Sequence, residues 1–251
     1  MDSTYAAGFK SRSQMARKVT EKWAEENLYC MSCESDRVAC CPPNSEAVDF
    51  TCKKCSAAYQ LKAMKVWNER RIPDAGYNAM MRALESDTVP NLLVMQYDAT
   101  WSVRRLLLVP SFFFSPAAVQ KRKPLGPHAR RAGWVGCNIL LSEISAEGKI
   151  PIISDGLPIL SHIVRERYAA IRPLASIHAQ TRGWALDVLR MIQQLGQKHF
   201  CLQDVYTFEK TLSAIYPDNK NVRPKIRQQL QVLRDLGFIR FAGRGEYELL
   251  R

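Results

Sequence analysis

Residues Ala47–Lys62 read AVDFTCKKCSAAYQLK, and this stretch joins half of a cysteine pattern to a spaced set of polar groups. Cys52-x-x-Cys55 repeats Cys30-x-x-Cys33, with eighteen residues between the two pairs. Each pair makes a tight knuckle that presents two thiolates from one side, and two knuckles complete a tetrahedron around zinc. Zinc is redox-silent, so a four-thiolate site is structural and closed to water. Cys40 and Cys41 lie between the pairs, where either is a substitute ligand at most. Cys137 and Cys201 read as small buried apolar residues.

Asp49 stands three residues before Cys52 in the strand-like run AVDFTC, and Gln60 and Lys62 follow it. In a strand, residues i and i+2 share a face, so Gln60 and Lys62 project together. If the two strands pair as a hairpin, Asp49 lies beside them. An acid, a second oxygen ligand and a lysine are what metal-assisted phosphodiester cleavage needs. Asp49 and Gln60 would hold Mg²⁺, and Lys62 would stabilise the developing negative charge. By spacing alone the pattern is weak, and a solvated strand face accounts for it as well.

Outward from this stretch, apolar residues at helical spacing predict a helix over about 14–28. AAYQLKAM, NLLVMQYDA, SVRRLLLVP, GWVGCNILL and KIPIIS read as strands, with a helix at GYNAMMRALES. Helices around several strands indicate an α/β or α+β core. HIVRERYAAIRPL reads as a further helix belonging to either side of a boundary. SIHAQTRG reads as a linker, after which a helix begins at Trp184.

From there the order is helix (WALDVLRMIQQL), helix (LQDVYTFEKTLSAIY), helix (RPKIRQQLQVLRDLG), then two strands around Gly243-Arg244-Gly245. That is the order of a winged helix-turn-helix. Pro224 suits the first turn of the third helix and Gly237 its stop. Ile226, Leu230 and Leu233 share a core face. Gln228, Gln231 and Asp235 lie opposite, with Asn221 at the start and Lys225 and Arg227 on the flanks. Gln and Asn pair bidentately with adenine N6 and N7, and Arg244 at the wing suits phosphate or the minor groove. A protein-interaction winged helix with solvated glutamines is the alternative. The expected domains are 1–178 and 179–251.

The net charge of +12 and pI near 9.4 put nucleic acid first among partners. Between Ala99 and Ser142 there are seven Lys or Arg residues and no acid. The tract KPLGPHARRAGWVGCN within it sets Arg130 and Arg131, which suit phosphates or guanine edges, beside Trp134. No segment reaches the ~20 apolar residues of a membrane span, and the N-terminus is too polar for a signal peptide. The cytoplasm is the expected compartment, and no dimerisation segment is evident, so a monomer is expected.

The chain resembles the DpnI family of restriction endonucleases along nearly its full length. The resemblance rests on AVDFTCKKCSAAYQLK, KPLGPHARRAGWVGCNI, KIRQQLQVLRD and GRGEY. It implies a bacterial protein whose zinc-containing catalytic domain is similar to PD-(D/E)xK nucleases and is followed by a winged helix. Both domains would read double-stranded GATC DNA with N6-methyladenine. By the resemblance, Asp49, Gln60 and Lys62 fall on the catalytic aspartate, acid and lysine, and Trp134 becomes the candidate sensor of the methyl group. One position departs: Gln60 stands where the family pattern has Glu. An uncharged ligand lowers metal affinity, so the expectation is cleavage with more Mg²⁺ or with Mn²⁺. A non-catalytic reader of adenine-methylated DNA is the alternative.

Overall fold

A computed structural model describes residues 1–42 and 47–250. The chain opens with α1 (Arg12–Asn27), followed by the short strands β1 (Ala39–Cys40) and β2 (Phe50–Thr51) and by β3 (Ala58–Met64). Next come β4 (Ile72–Gly76), α2 (Tyr77–Glu85), β5 (Asn91–Tyr97), β6 (Val103–Val109), β7 (Val119–Lys121) and β8 (Gly136–Ile139). β9 (Ile150–Ser154), β10 (Leu157–Pro158) and α3 (Ser161–Ile171) complete this part. The remainder is α4 (Ala179–Gln194), β11 (His199–Cys201), α5 (Leu202–Tyr206), α6 (Glu209–Ile215), α7 (Val222–Asp235), β12 (Ile239–Gly243) and β13 (Glu246–Leu249).

Two compact units result. The first takes Met1–Asn68, Val89–Ser111 and Gly148–Arg172; the second takes Glu69–Thr88, Phe112–Glu147 and Pro173–Arg251. In the first unit a seven-stranded mixed sheet runs β1-β2-β3-β5-β6-β9-β10. β3 and β5 are parallel, with Gln60 opposite Leu92 and Lys62 opposite Val94, while the other neighbours are antiparallel. The run NLLVM of β5 is buried throughout, as expected of a central strand covered on both faces. The expected α/β core is present.

The second unit contains a sheet ordered β4-β8-β7 and the winged helix-turn-helix. The three core residues of α7, Ile226, Leu230 and Leu233, are fully buried as their spacing predicts. Gly237 takes φ +72° and stops the helix.

Several local readings are corrected. α4 starts at Ala179, so five of the eight residues of the expected linker are helix. Gly183, the last residue of that expected linker, sits inside the helix, where a Cβ would lie 3.3 Å from the Tyr216 hydroxyl. Arg182 beside it is buried and paired with Asp87. The single second helix of the winged domain is two, α5 and α6, separated at Thr207–Phe208. The wing has a third strand, β11, giving the order β11-β13-β12. Cys201 is half-buried rather than buried. β4, β7 and β10 are too short or too polar to announce themselves. Among the described residues no helix is long and apolar enough to cross a membrane.

Candidate functional site

The ligand atoms of Cys30, Cys33, Cys52 and Cys55 lie within 4.8 Å of one another, and the four could hold a metal ion. The Sγ atoms of Cys30 and Cys55 are 3.5 Å apart, and those of Cys33 and Cys52 are 3.7 Å apart. A zinc tetrahedron with bonds of about 2.3 Å has edges of about 3.8 Å, so the donors fit. Burial pushes the Cys52 thiol up, but the N–H groups of Cys55 and Lys54 and the neighbouring thiols outweigh it, holding it at about 6. Cys40 and Cys41 stand outside the cluster.

Two side chains that the cysteine pattern does not announce hold the first knuckle. The Tyr59 hydroxyl accepts the Met31 N–H at 3.1 Å and lies 3.3 Å from Cys30 Sγ. Arg165 on α3 donates to the carbonyls of Cys30 and Ser35, at 3.1 and 3.0 Å.

Asp49 lies one residue before β2 rather than within a strand. It is nevertheless tied to β3 on both sides of Gln60. Its N–H donates to the Tyr59 carbonyl at 2.9 Å, and its Oδ2 accepts the Leu61 N–H at 2.7 Å. The hairpin pairs Phe50 with Tyr59 and Thr51 with Ala58, which sets this register. The expected approach of Asp49 to the Gln60–Lys62 strand is therefore present. Gln60 is buried and Lys62 half-buried on the same face of β3. Burial raises the Asp49 pKa, the Leu61 N–H opposes this, Glu21 adds to it, and the Lys62 and Arg17 charges lower it.

Glu21 is the residue that reading along the chain missed. A cavity of about 420 Å³ is bounded by Asp49, Val48 and Phe50 on one side and by Arg17, Glu21 and Glu25 of α1 on the other. Those three recur at i, i+4 and i+8, one face of the helix. Their polar stripe was the available signal, but nothing local says that it faces Asp49.

In the second unit, Trp134 leads into β8 and is half-buried. Its ring lies so close to Gly136 that a Cβ there would fall 2.6 Å from Cη2, and one on Gly76 would lie 3.6 Å from Nε1. The Arg131 guanidinium is 4.6 Å from the ring centroid, while Arg130 is exposed. The loop is closed by Leu125 N–H to Trp134 O at 3.0 Å and Gly133 N–H to Leu125 O at 2.9 Å. Gly133 takes φ +78°, which favours glycine.

On α7, Gln228 and Gln231 are exposed, and Asn221, also exposed, precedes the first residue of the helix. Lys225 Nζ donates to Gln228 Oε1 at 2.9 Å, and Arg227 donates to the Tyr206 hydroxyl at 2.7 Å. Asn221, Lys225 and Gln228 border an open concavity at the start of the helix. Arg244 is exposed at the wing turn, between Gly243 and Gly245. A family profile described as the Dam-replacing family, DpnI, matches residues 1–177, and a Dam-replacing HTH domain matches residues 180–249.

Proposed function

Because the chain belongs to the Dam-replacing DpnI family and carries its C-terminal helix-turn-helix domain, we propose that it is a methyl-directed type II restriction endonuclease. It cleaves duplex DNA at GATC sites containing N6-methyladenine by metal-dependent phosphodiester hydrolysis. Family membership supports the methyl-directed, restriction-type role. The observation that carries hydrolysis is the half-buried Asp49 carboxylate, bonded to β3 between Gln60 and Lys62 and open to a cavity.

In this reading residues 1–178 form a nuclease domain of the PD-(D/E)xK kind, and residues 179–251 a winged-helix DNA reader. Zn²⁺ at the four cysteines is structural: it braces the hairpin that carries Asp49. Asp49 and the Gln60 amide oxygen would hold Mg²⁺, or Mn²⁺ in its stead, with Glu21 nearby to add negative charge. Such an ion needs few carboxylates when substrate phosphate supplies further oxygens, so the donor set suits it. Bound there, it supplies Lewis-acid charge to the scissile phosphate. The Leu61 N–H orients the Asp49 carboxylate, and the Lys62 ammonium stabilises negative charge developing on the phosphate. Trp134 senses the methylated base, with Arg130 and Arg131 on adjoining phosphates. Gln228 and Gln231 face adenine edges in the major groove, flanked by Asn221, Lys225 and Arg227, and Arg244 contacts the backbone. One site per chain implies that a double-strand break takes either sequential nicks by a monomer or two molecules.

A second reading, a non-catalytic reader of adenine-methylated DNA, is favoured by one observation: Gln60 brings no charge to the metal. Digestion of plasmid from methylating and non-methylating hosts, with and without Mg²⁺ or Mn²⁺, separates the two. Metal-dependent cleavage of methylated plasmid alone is the expected result. Intact binding without cleavage at millimolar metal would leave only the reader.

A further inference from the structure

Arg223 and Arg227 stand one turn apart on α7, and both are exposed. Residues four apart are neighbours on a helix surface, so the two cations lie side by side and repel. Val222 and Ile226, each one residue before an arginine, are buried, so the pair borders the core side of the helix. The next residue of the same row is Gln231, one of the two exposed glutamines of the proposed reader. Arg227 stands there only as a flank, and Arg223 has no part in it.

A single side chain seats both cations: Tyr206, half-buried at the end of α5. The Arg223 guanidinium is 5.0 Å from its ring centroid, and Arg227 Nη1 donates to its hydroxyl at 2.7 Å. An aromatic face and a neutral hydroxyl both fix a cation's position without cancelling its charge. Glu209 of α6 takes only Arg223 Nε, at 2.8 Å, in an exposed pair of little net worth. The other guanidinium nitrogens of both arginines have no partner among the described residues. Like charges at this spacing destabilise a helix, and an anion lying between them removes that cost.

We propose that Tyr206 is a positioning residue, which presets Arg223 and Arg227 as a two-pronged clamp on a backbone phosphate of duplex DNA. The clamp anchors α7 to the strand beside the bases that Gln231 faces. Guanidinium forks match phosphate oxygens, and two forks one turn apart converge on one such group. The clamp itself reads no bases, since phosphate contacts carry no sequence. It rests on the reading of α7 as a DNA-recognition helix.

The test uses the full chain and two labelled duplexes, one with a methylated GATC and one of scrambled sequence. Affinity is measured across a salt series. Arg223→Ala should weaken binding to both several-fold and make the slope of log K against log salt shallower by about 1. Tyr206→Phe keeps the ring and loses the hydroxyl, so it should cost less than Tyr206→Ala, which loses both seats. In the Tyr206→Ala background Arg223→Ala should add little, because that arginine is no longer held; independent losses would multiply instead. Arg223→Lys should keep the slope and recover part of the affinity, which a folding defect would not allow. An unchanged slope in Arg223→Ala, multiplying losses, or a loss confined to the methylated duplex overturns the clamp. The reading of α7 still stands in that case if Gln231→Ala weakens the methylated duplex more than the scrambled one. A wild-type protein that binds neither duplex overturns both.

Discussion

The Tyr59 hydroxyl lies 3.3 Å from Cys30 Sγ, and the carbonyl of the same residue accepts the Asp49 N–H at 2.9 Å. One fully buried side chain thus ties the cysteine cluster to the strand that positions the candidate acid. Burial above all, with the adjoining Cys30 thiol, raises its phenol well above the ordinary range, so it stays a neutral donor and acceptor. Tyr59→Phe leaves the Met31 N–H without its partner. The expected cost is about 1–3 kcal/mol of stability. Zinc should pass faster to a coloured chelator, and thermal melts should fall in parallel. An unchanged release rate would mean that the hydroxyl does not brace the cluster.

Gln60→Glu restores a second charge beside Asp49. The Mg²⁺ concentration for half-maximal cleavage should fall at least about tenfold, as expected when a neutral ligand becomes a carboxylate. Lys62→Ala should remove cleavage and spare DNA binding, because it loses charge stabilisation rather than affinity. Metal titrations of plasmid cleavage, with binding measured alongside, check both.

Trp134 rests on a glycine floor, so two routes should disturb it. Trp134→Ala should reduce the ratio of methylated to unmethylated affinity more than it reduces total binding. Gly136→Ala puts a methyl 2.6 Å from the ring and should displace it, reproducing that loss of discrimination. Equal losses on both DNAs would count against a methyl-sensing ring.

On the recognition helix, Gln228→Ala and Gln231→Ala should each cost about 1–3 kcal/mol on the methylated site, and less on non-specific duplex. Lys225 donates to Gln228, so part of the first loss reflects a freed lysine. Arg244→Ala should weaken all duplexes alike and reduce the salt slope by about 1. Competition binding with scrambled sequence separates these effects.

Asp187 in α4 is buried, and burial raises its carboxyl to about 6 against the hydrogen bonds from Tyr216 and Ser115, both 2.7 Å. The native state therefore holds a proton that the unfolded chain releases near pH 4. Its contribution to stability should fall as pH rises from about 4 to about 6 and then level, by on the order of 3 kcal/mol at most. Asp187→Asn should remove that fall. Denaturant midpoints of both proteins across this pH window give the comparison.

What the sequence alone determined is local. The cysteine spacing names a four-thiolate cluster, because a knuckle closes within four residues. The eleven-residue step from Asp49 to Gln60 brings them together, because a hairpin returns the chain through its own turn. Helical periodicity separates the buried Ile226, Leu230 and Leu233 from exposed Gln228 and Gln231, because one side of α7 must leave water. The expected linker ended at Gly183, because nothing local shows that Tyr216 approaches this glycine and makes it a packing residue inside a helix. Tertiary structure decided the rest. Glu21 opposite Asp49 and Arg165 on the first knuckle join segments 28 and 135 residues apart. No periodicity spans such distances. Which side chains meet there depends on strand order and on the parallel pairing of β3 with β5, which long-range burial selects only once the whole sheet forms.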